Sequence, residues 1–459
     1  MCGIAGTWNL ARWGGLNRTV VALHWLYNRA RGYAGIAVTD GHNTVVETGE
    51  GLTGEVFYAG SAAYERLQKF RAQGTLGHLR YPTSGNVANP ADNAQPLLSP
   101  WNGQMLALAH NGNLTNGETI GTDHFPGQSF VTGMDSERLL RLIVQAAGDT
   151  IYEKIERALP YIRGSATFGI LLPDRLLGVR DHSGNRPLVW GPLDGGWMMA
   201  SETLALESAG VAFEQIEEVP PGTIVSFSDA GVVYHSLSNP NNIPRRQCVF
   251  ELDYFAQPEG YVFGIDTSAF RVRVGELLEE QYPMPGDNLI IPIPDSANLH
   301  AYGFARNGRS GTCPPIGMMR HHHVGRTFIN KEGAGVARKH VISRPRVHGR
   351  RVILIDDSIV RGNTSLANVQ RFWEAGATEV HMFVAYPPWQ YHCRYGVDAN
   401  DDAQLFAARH NGDIESMRDE LRVNSLGFLS PDALMQVVRE FGGDPSHYCT
   451  ACYSGEYWA

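Results

Sequence analysis

The spacing of apolar and polar residues changes character near the middle of the chain. Up to about Leu237, short alternating runs lie between Gly-rich turns, as in TIVSFSDAGVVYHSL from Thr223 to Leu237. A side-chain period of two predicts half-buried strands joined by hairpins. In the same half, GMDSERLLRLI spaces Leu139, Leu140, Ile143 and Val144 along one helical face, with Asp135 or Ser136 expected as the cap. From Asn288 onward, apolar runs alternate with amphipathic stretches. LIIPI is followed by a helix after PDS, then VILI, then a helix from Ser365 to Ala375, then EVHMFVAY. That helix carries Leu366, Val369, Phe372 and Trp373 on one face, with Gly376 past its end. The alternation predicts parallel strands with crossover helices. Between the two patterns lies SNPNNIPRR, residues 238–246, polar and turn-rich, which sets the expected domains at 2–237 and 247–459.

A length of 459 residues agrees with two cores rather than one. Hydrophobic residues make up 43% and charged residues 19%, with a mean hydropathy of -0.22, the profile of a soluble globular chain. The net charge of -9 argues against a nucleic-acid surface, where a basic stripe is expected. No apolar run is long enough to span a bilayer, and the start lacks a charged segment followed by an apolar stretch, so neither a membrane anchor nor a signal peptide is expected. Six cysteines in a chain of this length do not form a disulfide scaffold, and a reactive thiol needs a reducing compartment; a cytoplasmic protein is expected.

Candidate chemistry begins at MCGIAG. Cys2 follows the initiator Met1, which is expected to be removed because the next residue is small. Cys2 would then carry a thiol and an α-amine, a nucleophile and a base on one residue. GHLRYPTSG places Arg80 in a turn-rich segment, where a planar guanidinium can hold a carboxylate bidentately. AHNGNLTN offers the Asn111 side-chain amide and the Gly112 N–H, a donor pair suited to an oxyanion. Asp135, at a helix entrance, can face an ammonium group. In the other half, RVILIDDSIVRGNTS puts Asp356 and Asp357 at the carboxyl end of a buried strand, Val352 to Ile355, where open α/β sheets bind ligands. Arg361, Gly362, Asn363 and Thr364 then lead into a helix whose first N–H groups can cradle a phosphate. The paired aspartates suit ribose hydroxyls or Mg²⁺.

The series MCGIAG, GHLRYPTSG, NAQP, AHNGNLTN and MDSE resembles the glutaminase domain of the class II glutamine amidotransferases, N-terminal nucleophile hydrolases with a four-layer αββα fold. GLTGEVF, GVRDHSGNRPL, ASET and VPPGTIVSF extend the likeness. The resemblance implies that Cys2 attacks the glutamine carboxamide and that Asn111 and Gly112 form the oxyanion hole. It also implies that Arg80 holds the α-carboxylate, Asp135 the α-amine, and that Arg29 lies beside the nucleophile. The chain departs from the family in NRARGYAGI, where Ala30, Arg31, Gly32 and Tyr33 replace the usual residues.

RVILIDDSIVRGNTS similarly resembles the 5-phosphoribosyl-1-pyrophosphate (PRPP) motif of the type I phosphoribosyltransferases. By that likeness Asp356, Asp357, Ser358, Val360, Arg361, Gly362, Asn363 and Thr364 bind PRPP, in a domain with a parallel sheet. IIPIPDSANLHAYGFA resembles the family's pyrophosphate loop, so that Ser296 joins Asp356 and Asp357 around Mg²⁺. Two such domains in this order, with VGRTFI, AGATEVH and SLGFLS, resemble the glutamine–PRPP amidotransferases. The implied reaction is glutamine-dependent amination of PRPP to 5-phosphoribosylamine, glutamate and pyrophosphate at the start of purine synthesis. Purine nucleotide inhibitors and a homotetramer or homodimer are further implications. Two departures stand out: the loop NKEGAGVARKHVISRPRVHG is about four residues shorter than the family pattern, and His321, His322 and His323 replace Asn-Arg-Tyr ahead of VGRTFI. These departures, with Asn185 in GNRPL, leave a paralogue of a specialised pathway as the alternative. A PRPP-responsive regulator without catalysis is disfavoured by the intact Cys2, Arg80, Asn111 and Asp135.

Of the remaining cysteines, Cys449 and Cys452 form a C-x-x-C pair, a weak signal alone. With Cys248 and Cys393 they match the positions that hold a structural [4Fe–4S] cluster in a subset of the family. Four thiolates suit such a cluster or Zn²⁺ equally by chemistry, so iron rests on the resemblance. Cys313 is expected to be buried and inert.

Overall fold

The computed structural model describes residues 1–10, 14–81, 90–313, 317–320, 340–399 and 401–458. Among them, seven strands form an antiparallel sheet in the order Glu217–Glu218, Val189–Leu193, Gly196–Ala200, Gly3–Trp8, Gly74–Arg80, Tyr33–Thr39 and Thr44–Glu50. Six more form a second sheet in the order Gly231–Ser236, Thr223–Ser228, Arg175–Arg180, Gly164–Leu172, Gln104–Leu114 and Leu97–Trp101. Ile4, Trp8, Leu76, Leu171 and Phe227 fill the layer between them. Leu16 and Leu23 of the helix Gly15–His24, with Leu206 of Thr203–Ala209, cover the outer face of the first sheet. Leu139, Leu140 and Ile143 of Asp135–Gln145, with Ile155 of Ile151–Ala158, cover the second. The result is the four-layer αββα arrangement. Each such side chain contributes ~1.5–3 kcal/mol when taken out of water, and one apolar set per face explains the alternation in the sequence.

The C-terminal half is built on a parallel sheet in the order Leu289–Pro292, Arg351–Asp356, Glu379–Val384 and Ser425–Phe428. Ile290, Ile353 and Phe383 point into one core with Phe270 and Ala301, whereas Ile291, Leu354 and Met382 point into another with Val369 and Phe372. Burial on both faces is why these strands read as continuous apolar runs. Residues 238–246 carry neither helix nor strand. Directly after them, Gln247–Cys248 pairs in parallel with Tyr448–Cys449. No helix among the described residues is long and apolar enough to cross a membrane.

Three local expectations change. The helix expected from Ser365 to Ala375 runs Asn363–Glu374. Neither Asp135 nor Ser136 caps its helix: Met134 holds the cap position and Asp135 is the first helical residue. Its carboxylate instead accepts Leu114 N–H at 2.8 Å, a strand partner invisible to local pattern. Cys313 is exposed rather than buried, next to the isolated bridge between Leu289 and Thr312 at the edge of the parallel sheet. His321, His322 and His323, and the first half of the shortened loop, residues 330–339, lie outside the described residues.

Candidate active site

Cys2 enters the central strand of the seven-stranded sheet, and the register Gly3 opposite Leu79 sets it beside Arg80. Its backbone N–H donates to Asn111 Oδ1 at 3.3 Å, and its carbonyl accepts Arg29 Nε–H at 2.9 Å. Asn111 pairs with Thr167 in the second sheet, so the two sheets meet at this point. Asn111 Nδ2 is buried and has no hydrogen-bond partner among the described residues, a donor left open beside the thiol. At Gly112 a Cβ would stand 2.1 Å from the Ser165 carbonyl oxygen, so only glycine lets the strands approach this closely. Burial pushes the Arg80 guanidinium down, opposed by the neighbouring Cys2, Tyr33 and Asp135 side chains. Asp135 also accepts Ser136 N–H at 2.8 Å, which ties the helix start to the strand bearing Asn111.

Arg29 is wholly buried. Its Nη1 donates to Glu202 Oε1 at 2.7 Å and to Glu251 Oε2 at 3.0 Å, and its Nη2 donates to Glu251 Oε1 at 2.7 Å. Burial lowers the pKa of this guanidinium, but the Glu251 and Glu202 carboxylates outweigh it and raise the net value. Removing one member of such a buried pair costs about 3–5 kcal/mol, because the other charge is left unpaired. Sequence reasoning missed Glu202, Glu251 and Arg186 as parts of this site. ASET and GNRPL, which carry Glu202 and Arg186, were visible as segments, but nothing local announces their common partner. A second missed group underlies Asn111: His110 N–H donates to Gln95 Oε1 at 2.7 Å, and Ser136 Oγ lies 3.1 Å from both Gln95 Nε2 and His110 Nδ1.

At the second site, Asp356 ends its strand and Asp357 follows, both buried. Asp357 accepts Ser296 Oγ–H at 2.5 Å and Ser358 Oγ–H at 2.8 Å. Burial pushes both aspartates up, and the charge of Asp357 adds to this at Asp356. Two desolvated carboxylates and a hydroxyl are a hard-oxygen donor set that fits Mg²⁺. Gly362, at φ +82°, turns the chain into the helix Asn363–Glu374, leaving Asn363 and Thr364 exposed at its first turn. Arg361 turns aside, with Nη2 donating to the Asp398 carbonyl at 3.1 Å. The Val360 carbonyl accepts Phe406 N–H at 2.8 Å, which fixes the loop. Behind Asp357, unannounced by the sequence, Asp253 and His300 form a wholly buried pair at 3.1 Å.

Cys248, Cys393, Cys449 and Cys452 line one cavity, together with Arg186 and Tyr386. Cys248 lies opposite Cys449 in the short parallel pairing. Burial pushes the Cys248 thiol up to about 11, against the pull of Arg186, and burial also raises Cys449. The Cys393 sulfur accepts Tyr395 N–H at 3.4 Å, and Tyr386 Oη lies 3.3 Å from the Cys452 sulfur. Among the described residues no three His, Cys, Asp or Glu side chains are gathered tightly enough to hold one metal ion. Four cysteines around one cavity are nonetheless a donor set of the right kind for a thiolate-bound centre.

With both centres placed, the class is clear: residues 83–208 match the model of a glutamine amidotransferase domain. The chain is 34% identical to the amidophosphoribosyltransferase of Bacillus subtilis over 99% of its own length and 94% of that protein, and 36% identical to the chloroplastic one of Glycine max over 95% of its own length and 75% of that protein. The structure superposes on a solved glutamine PRPP amidotransferase from B. subtilis, complexed with ADP and GMP, with a TM-score of 0.88 at 33% identity, covering 99% of this chain and 97% of that one. The chain belongs to the amidophosphoribosyltransferase family.

Proposed function

We infer that the chain catalyses glutamine-dependent amination of PRPP to 5-phosphoribosylamine, glutamate and pyrophosphate, the first step of purine nucleotide synthesis. The observation that carries this reading is the open Asn111 amide beside Cys2, in a chain related over nearly its full length to enzymes named for that reaction. The working domains are 2–237 and 247–459.

Removal of Met1 turns the Cys2 nitrogen from an amide into an amine that can take the thiol proton. The Cys2 sulfur attacks the glutamine carboxamide carbon, while Arg80 holds the α-carboxylate and Asp135 the α-amine. Asn111 Nδ2 and the Gly112 N–H hold the oxyanion of the tetrahedral intermediate. Collapse expels ammonia and leaves a thioester on Cys2, which water hydrolyses to glutamate. Ammonia passes through a water-excluding interior to C1 of PRPP, forms the C–N bond and displaces pyrophosphate. Asp356, Asp357, Ser358, Val360, Arg361, Gly362, Asn363 and Thr364 bind the phosphoribosyl group. Ser296, Asp356 and Asp357 would hold Mg²⁺, which supplies neutralisation of the pyrophosphate leaving group. Cys248, Cys393, Cys449 and Cys452 would hold a structural [4Fe–4S] cluster; the one cavity they line supports a shared thiolate-bound centre, and the choice of iron rests on the family resemblance. The relative complexed with ADP and GMP supports regulation by purine nucleotides. A homotetramer or homodimer in the cytoplasm completes the proposal.

The deciding experiment mixes anaerobically purified protein with PRPP, Mg²⁺ and glutamine and measures phosphoribosylamine and pyrophosphate. Glutamate release without pyrophosphate would refute the reading. Mass spectrometry of the same sample should find Cys2 at the terminus, and metal analysis should find iron and sulfide; stoichiometric zinc would overturn the cluster.

A further inference from the structure

Glu251 opens the π-helical turn Glu251–Phe255 in the C-terminal half and is wholly buried. Its carboxylate accepts three hydrogen bonds: two from Arg29, at 2.7 and 3.0 Å, and one from Arg186 Nη1 at 3.2 Å. Both arginine side chains are fully buried. Each then reaches a different wall of the glutaminase site. Arg29 Nε donates to the Cys2 carbonyl at 2.9 Å. Arg186 Nη2 donates to the Tyr395 carbonyl at 2.6 Å, and that carbonyl also accepts Ser165 Oγ–H at 3.1 Å. Ser165 lies on the strand paired with the one bearing Asn111 and Gly112, in register with Asn113. One carboxylate thus braces the nucleophile through Arg29 and the oxyanion strand through Arg186.

We propose that Glu251 is a positioning residue for the glutaminase reaction, fixing the distance between Cys2 and the Asn111–Gly112 donors from the opposite half of the molecule. This rests on the reading of Cys2 as the nucleophile. Among the described residues the Glu251 carboxylate hydrogen-bonds Arg29 and Arg186 and not the Cys2 sulfur, so it acts through the two guanidiniums. A planar guanidinium is held in one orientation only when its fork meets a carboxylate. An amide in the same place offers one acceptor and turns its NH₂ toward a donor, so Arg29 loses part of its grip and the Cys2 carbonyl is freed. A nucleophile displaced by about 1 Å loses on the order of 10²-fold in rate without losing the substrate's binding groups.

The test compares wild type, Glu251→Gln and Glu251→Asp in the full-length protein, with PRPP and Mg²⁺, using glutamine and then ammonia as the nitrogen source. Glu251→Gln should lower kcat with glutamine by ~10–100-fold, leave KM for glutamine within about twofold, because Arg80 and Asp135 are intact, and leave ammonia-dependent turnover within about twofold. Glu251→Asp, which keeps the charge, should restore part of the lost kcat. Should Glu251→Gln alone fail to fold, pairing it with Arg186→Met removes the unbalanced charge while Arg29 still lacks its fork; the same kcat loss is expected. Equal losses with both nitrogen sources, a change in KM alone, or normal glutamine turnover in Glu251→Gln overturns the proposal. Absence of glutaminase activity in the wild type would instead refute Cys2 as the nucleophile.

Discussion

Around Cys2, buried charges are paired: Arg29 and Arg186 face Glu202 and Glu251, and a neutral donor, Asn111 Nδ2, is left open. At the strand end carrying Asp356 and Asp357, the two carboxylates are buried together with no salt bridge among the described residues, and burial pushes both up. The first arrangement suits a reaction on a neutral amide, for which donors must be rigid before substrate arrives. The second suits a charged substrate that brings its own counter-ion, because a site short of positive charge gains most when a cation binds. Pre-formed and ligand-completed sites thus occupy one chain.

The largest effect that could break this contrast is separability. Cys2→Ala should reduce glutamine-dependent turnover by at least ~10³-fold while ammonia-dependent turnover survives; parallel loss would mean one site, not two. Changing Asp356→Asn together with Asp357→Asn should cost roughly 10³-fold with either nitrogen source, the worth of several kcal/mol of charge stabilisation. Labelling of Cys2 by an electrophilic glutamine analogue should be unchanged, and retained PRPP turnover would remove the phosphoribosyl assignment. Asn111→Ala sharpens the claim that the first site is pre-formed. It should lower kcat with glutamine by about 10²–10³-fold, and a change confined to KM would count against an oxyanion role.

The smallest effect concerns His78, on the strand beside Cys2, which burial pushes down to about 3 although its Nε2 lies 3.1 Å from the His110 carbonyl. A folded pKa below the unfolded value means that the unfolded chain takes up the proton first, so stability falls as pH drops below about 6.5. The slope is ~1.4 kcal/mol per pH unit until the folded pKa is reached. Chemical denaturation of wild type and His78→Gln between pH 4 and 7 should show a shallower slope in the variant; identical slopes would place the titration elsewhere.

Much of this was legible in order along the chain. TIVSFSDAGVVYHSL becomes the hairpin Thr223–Ser228 and Gly231–Ser236, and the run VILI carries Asp356 at its end, because a two-residue period and a doubly buried strand leave direct marks in sequence. Asp135 shows the limit. Its local context reads as a cap, but its partner Leu114 lies 21 residues away on a strand. The Arg29–Glu251 contact spans 222 residues, and no pattern in either segment names the other. The gathering of four cysteines was legible only through resemblance, since a C-x-x-C pair says nothing about where Cys248 and Cys393 will be.

The pairing of Gln247–Cys248 with Tyr448–Cys449 also orders events during synthesis. Translation at roughly 5–20 residues per second separates the emergence of Cys248 from that of Cys449, 201 positions later (449 − 248), by about 10–40 s. The glutaminase layers can assemble in that interval, while Cys248 waits without its strand partner. A nascent chain therefore passes through a stage with exposed thiols, when oxidants or stray metals compete with correct closure, and the last strand to arrive ends that exposure.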